Sequence, residues 1–127
     1  MAADDSFDLD AAGLRADGAD VTAYVEVLAR KLEDALPAET TVRRRAKGFL
    51  SREKVVDSIE VRLGESRFAL ALKGRRVEAQ RAKEVRGVVI KREPLELNAW
   101  VIELASQLRE QARDSSSALQ AFQRLVG

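Results

Sequence analysis

Between residues 41 and 92, apolar and charged side chains exchange places at every second position, and this pattern restricts the fold more than any other feature. A period of two puts alternate residues on opposite faces of a β-strand, so the stretch predicts a sheet with one apolar and one polar face. In residues 54–63, Val55, Ile59, Val61 and Leu63 share one face, and Lys54, Ser58, Glu60 and Arg62 share the other. In 67–73, Phe68, Leu70 and Leu72 face inward, opposite Arg67, Ala69, Ala71 and Lys73. Val77 and Ala79 continue the inward face in 76–81, and 85–91 supplies a further strand. Gly64-Glu65 and Gly74 mark turns. Lys83-Glu84 is expected to turn the chain again, and Gly87 to mark a bulge or a close backbone approach. Residues 41–47 read as a strand whose alternation Arg43-Arg44-Arg45 interrupts. If Val42 and Ala46 face inward, Arg44 goes with them and needs a partner or a route to water, which suits a sheet edge. Short connections throughout predict antiparallel pairing, with one face covered and one wet.

Helices are expected on both sides of this stretch in the chain. Asp20 suits an N-cap, and Val21, Tyr24, Val25, Leu28, Leu32 and Leu36 form one apolar stripe that Pro37 ends. A second helix is expected to open at Pro94, with Glu96 in its first turn and Leu97, Trp100, Val101, Leu104 and Leu108 on its apolar face. Asp114-Ser115-Ser116-Ser117 either separates a last short helix or lies within one continuous helix. The predicted fold class is α+β: an N-terminal helix, a four- to five-stranded antiparallel meander, and one or two C-terminal helices packed on one face of the sheet. Residues 1–19 read as a flexible acidic lead-in with Phe7 and Leu9 as apolar points, and 20–127 as a single domain.

The net charge of +1 conceals a strong segregation. Residues 41–92 hold 16 Lys/Arg against six Asp/Glu, a local net of +10, whereas residues 1–40 are net −7 and 93–127 net −2. Arginines on a wet sheet face can grip phosphates, and the candidate anion-binding residues are Arg43, Arg45, Lys47, Arg52, Arg62, Arg67, Lys73, Arg75 and Arg76. Sheet-surface nucleic-acid binders also stack bases on aromatic side chains, and here only Phe68 lies in a predicted strand, pointing inward. A second candidate is Phe49-Leu50, two large apolar residues after Gly48 in a loop with basic shoulders, suited to a partner's groove or an anionic membrane surface.

Cysteine and histidine are both absent, which removes thiolate chemistry, the commonest neutral-pH base and the commonest transition-metal ligands. Ser51-Arg52-Glu53-Lys54 matches an S-x-x-K pattern without its companion motifs, and the seven glycines form no phosphate-binding loop. Asp4, Asp5, Asp8 and Asp10 lack the glycine and glutamate of a calcium loop. No enzymatic activity, cofactor or metal is expected. No apolar run reaches transmembrane length, and the acidic start differs from a secretory signal, so a cytoplasmic location is expected. The expected function is a non-enzymatic adaptor or accessory domain, binding a protein partner through a sheet edge or the Phe49-Leu50 loop. A sheet edge is also the expected route to any homodimer. The alternative is an anion-binding module for nucleic acid or acidic lipid.

Overall fold

A computed structural model describes residues 18–50, 52–112 and 116–126. The chain runs α1 (Gly18–Ala35), β1 (Thr40–Ala46), β2 (Lys54–Leu63), β3 (Ser66–Lys73), β4 (Arg76–Val85), β5 (Val88–Leu95), α2 (Leu97–Ala112) and α3 (Ser116–Val126). The five strands pair in sequence order, every neighbour antiparallel. All three helices lie on one face: α1 over β1 and β2, α2 over β4, and α3 against both other helices. The α+β meander is therefore as expected, with five strands and two C-terminal helices. The lead-in, with Phe7 and Leu9, lies outside the described residues up to position 17. Positions 18 and 19 already belong to α1, so Asp20 sits inside the helix instead of capping it.

One cluster of buried residues joins the layers: Val25, Leu28 and Leu32 from α1, Ile59, Val61, Phe68 and Leu70 from the sheet, Trp100, Leu104 and Leu108 from α2, and Leu125 from α3. Trp100 is fully buried and meets Phe68 edge-to-face, 6.1 Å between centroids. Its indole N–H donates to the Gln80 carbonyl at 3.2 Å. Gln80 stands between Ala69 of β3 and Pro94 of β5, and its backbone carbonyl faces β3, as does the Glu84 N–H that donates to the Glu65 carbonyl, so the Pro94 nitrogen points away from β4. The expected helix start at Pro94 is corrected accordingly. Pro94 closes the edge strand β5, where a missing donor is tolerated, and α2 starts at Leu97 with the Glu96 carbonyl accepting the Trp100 N–H at 2.8 Å.

Two further expectations change with the ladder register. Arg43 pairs with Ser58 but Arg44 with Val56, so Asp57 is an extra residue in β2. This bulge flips the alternation. Val56, not Val55, is the buried residue beside Ile59. The β2–β3 ladder ends at Ser58↔Ala71, and beyond it the Val56 N–H donates to Glu26 Oε2 of α1 at 2.6 Å. The last hairpin turns at Arg86-Gly87, not at Lys83-Glu84. Both turn residues have positive φ, 53° and 82°, as a two-residue type I′ turn requires. An irregularity does occur nearby, but at Ile90, between the pairs Lys83↔Lys91 and Glu84↔Val89.

Arg44 does face the helical layer from an edge strand, and its partner is Glu33 on α1. The guanidinium donates to both carboxyl oxygens, at 2.9 and 3.1 Å. That fork holds Glu33 below the ordinary carboxylate value, its hydrogen bonds outweighing a small opposing effect of burial. Glu103 on α2 similarly takes Arg81 Nη1 at 2.8 Å while that guanidinium lies 5.6 Å over the Phe68 ring.

Candidate functional site

The face of the sheet away from the helices is uncovered, and the register puts its side chains in rows across the strands. One row reads Arg43, Ser58, Ala71, Glu78. The next reads Thr41, Glu60, Ala69, Gln80, Pro94. A third reads Arg62, Arg67, Ala82, Arg92. The first two rows bound a trough of about 740 Å³. Ser58, Ala69 and Ala71 form its floor, with Arg43 on the β1 side, Glu78 on the β4 side and Lys73 at one end. Small side chains at the middle of the twisted sheet, Ser58 on β2 and Ala69 and Ala71 on β3, leave the concavity open between the longer residues that line it.

The third row holds the basic residues that composition alone makes conspicuous. Arg62 stands directly opposite Arg67, a like-charge pairing that destabilises a sheet unless something intervenes. Glu60 and Glu84 intervene. Arg67 lies 2.9 Å from Glu60 and 2.8 Å from Glu84, and Arg62 lies 3.8 and 4.0 Å from the same two carboxylates. The four side chains make a closed network on the open face.

Other candidate cations are matched locally. Arg45 meets Asp57 at 3.4 Å, Lys47 meets Glu53 at 3.5 Å and Arg76 meets Glu78 at 3.8 Å. Five of the nine candidates thus have an acidic neighbour, and each such neighbour lowers the positive field of the sheet. Arg43, Arg52, Lys73 and Arg75 have no carboxylate within 4 Å among the described residues. Sequence reading missed Glu60 and Glu84 as neutralisers, although Glu60 sits two residues before Arg62 and therefore on its face.

Phe49 and Leu50 lie at the tip of the β1–β2 hairpin, whose base is closed by the Lys47 N–H donating to the Glu53 carbonyl at 2.9 Å. No helix reaches them: Phe49 is 101% exposed and Leu50 90%. They are far from the trough in kind, being bulky apolar side chains on a projecting turn.

Among the described residues no group of three or more carboxylates could hold a metal ion, and no helix is long and apolar enough to cross a membrane. Asp4, Asp5, Asp8 and Asp10 lie outside the described residues. No family model matches the chain, and no curated protein or solved structure matches it significantly. The functional argument therefore rests on the geometry of the open face and the hairpin tip.

Proposed function

We propose that this chain is a non-enzymatic adaptor domain that receives a protein partner in the trough of its open sheet face. The observation that supports the reading is the floor of Ser58, Ala69 and Ala71 beneath a trough of about 740 Å³. Exposed sheet surfaces normally favour β-branched and aromatic residues, so small residues on two adjacent strands, β2 and β3, are a departure that leaves room for something else. Strands β2 to β4 span about 10 Å at ~4.8 Å spacing, close to the width of an α-helix with its side chains. Arg43 and Glu78, at opposite ends of one row, would supply one charge of each sign to orient the partner.

The sheet edges support a partner less well. Arg43-Arg44-Arg45 occupy one edge, and the irregularity at Ile90 together with Pro94 interrupts the other; both are devices that discourage strand addition. The same argument weighs against a homodimer through an edge.

The test is peptide display on the immobilised full-length protein, selecting helical and extended sequences, repeated with Ala71→Tyr. Tyrosine at that position fills the trough from its floor without touching the buried face. Peptides that bind wild type at micromolar strength and lose at least tenfold on Ala71→Tyr would support the reading. Enrichment of none, or equal binding to both proteins, would overturn it.

A further inference from the structure

An antiparallel meander puts its first and third turns at the same end of the sheet. Here that end combines the β1–β2 tip with the β3–β4 turn at Gly74-Arg75. The first turn presents Phe49 and Leu50 almost wholly to solvent. Around them stand Arg45, Lys47, Arg52 and Lys54 on the same hairpin and Lys73, Arg75 and Arg76 on the next. The acids at this end are Glu53, Asp57 and Glu78, leaving a net charge of +4. Of the nine candidate anion-binding residues, four have no carboxylate within 4 Å among the described residues, and three of these, Arg52, Lys73 and Arg75, belong to this end. At the opposite end of the open face, Arg62 and Arg67 are tied to Glu60 and Glu84.

We infer that this end of the sheet docks onto an anionic lipid surface, with Phe49 and Leu50 entering the boundary between headgroups and acyl chains and the surrounding cations meeting lipid phosphates. The two features need each other. Two apolar side chains give only shallow anchoring, and each basic residue near an anionic membrane adds roughly fivefold in partitioning. A protein groove fits the tip less well, because the energetic centre of a protein interface is a desolvated apolar patch ringed by polar residues. Phe49 and Leu50 are two residues on a projecting turn, flanked along the hairpin by Lys47 and Arg52, and form no such patch. A bilayer asks for no shape complement. Nucleic acid fits less well too: Phe49 is the only aromatic side chain that stands fully exposed among the described residues, and leucine offers no stacking platform. The α1 layer fixes the hairpin for this role through Glu33–Arg44 and Glu26–Val56, so the tip is presented on a braced ribbon.

The experiment is flotation of the full chain with phosphatidylcholine vesicles containing about one-third phosphatidylglycerol, beside pure phosphatidylcholine, at low and at physiological salt. Wild type should float with the anionic vesicles at low salt, weaken as salt rises, and stay unbound to the neutral ones. Phe49→Ser with Leu50→Ser, and separately Lys73→Glu with Arg75→Glu, should each lower binding at least tenfold while leaving the thermal midpoint unchanged. In Phe49→Trp, the new indole should shift its emission to the blue on anionic vesicles, which adsorption by charge alone would not produce. Absence of flotation at low salt would overturn the inference, as would undiminished flotation of the Phe49/Leu50 double variant. Binding of single-stranded oligonucleotide that the tip variant abolishes, with no vesicle binding, would overturn it in favour of nucleic acid. Ala71→Tyr leaves the tip intact, so the fate of the trough reading is separable from this one.

Discussion

Phe68 and Ala69 are neighbours in β3 and belong to opposite faces of the sheet. Phe68 is fully buried, with Trp100 against its edge and the Arg81 guanidinium over its ring. Ala69, one residue on, lies on the floor of an open trough between Glu60 and Gln80. The same alternation runs through β2 and β4, so each strand contributes to a packed layer and an unfilled one at once. On the covered face, large side chains interlock, and removing one leaves a cavity that cannot collapse. On the open face, small residues and mutually neutralised charges dominate, and substitutions there have little packing to disturb. Stability is thereby assigned to one set of alternate positions, and the proposed recognition to the other. A change in either function need not disturb the other.

The largest expected effect tests the covered face. Trp100→Ala should lower stability by about 3–5 kcal/mol, read as a fall in the urea midpoint with the slope retained. Trp100→Phe should cost less, about 1–3 kcal/mol, from the smaller ring and the lost indole hydrogen bond to the Gln80 carbonyl. A midpoint for Trp100→Ala close to wild type would mean that α2 does not pack on the sheet as described.

Next in size is a pair of substitutions that separates the faces at a single step of the chain. Val56→Ala should cost about 1–3 kcal/mol, whereas Val55→Ala should stay within about 0.5 kcal/mol. Unbroken alternation would give the opposite order, so the pair reads out the bulge at Asp57 directly by thermal melting.

The open face should respond more weakly. Arg67→Ala or Glu84→Gln should each cost no more than about 1 kcal/mol, because the network is partly exposed and screened. A double-mutant cycle should give a coupling that shrinks as salt rises. Zero coupling at low ionic strength would show that the network merely relieves the Arg62–Arg67 repulsion without adding attraction.

The covered face was legible in the sequence because its signals are local and agree with one another. The stripe from Val25 to Leu32 on α1, the alternation around Phe68, and Trp100 on its helix face all point to one core. The errors lie where a local rule was applied without its competitor. Val55-Val56 is an apolar doublet of which only one member can face inward, and Asp57 inserted in an edge hairpin decides which. Arg86-Gly87 carries the glycine that a type I′ turn needs, between Val85 and Val88, whereas Lys83-Glu84 has no residue suited to positive φ. Pro94 satisfies a helix start and an edge strand equally well until the register is known. The charge network was half legible: Glu60 shares a face with Arg62 by period two, but Glu84 reaches them only through the pairing of three strands. The exposure of Phe49 and Leu50 depends on where the helices stop, which no pattern within the loop encodes.

The smallest expected effect concerns the seam where the two faces meet at the sheet edge. Arg44 is the one member of the Arg43-Arg44-Arg45 run that turns toward the helices, and Glu33 receives it in a two-pronged hydrogen bond. Because that bond holds the Glu33 carboxyl below the ordinary 4.5 of a free glutamate, the unfolded chain binds more protons than the folded one between the two values. Stability from the pair is therefore fully present above about pH 4.5 and is lost as pH falls through the lowered folded value. Both side chains are substantially exposed, which limits the gain to about 1 kcal/mol or less even at low salt. Glu33→Gln should consequently melt slightly below wild type at pH 7, and the difference should close as the pH falls through the lowered Glu33 value. Arg45→Ala, whose guanidinium lies on the open face beside Asp57, should not reproduce that dependence on Glu33. Should Glu33→Gln match wild type at pH 7, or the gap persist undiminished in acid, the ion pair does not hold β1 to α1. The brace would then rest on Val42, Val56 and the Glu26 contact alone.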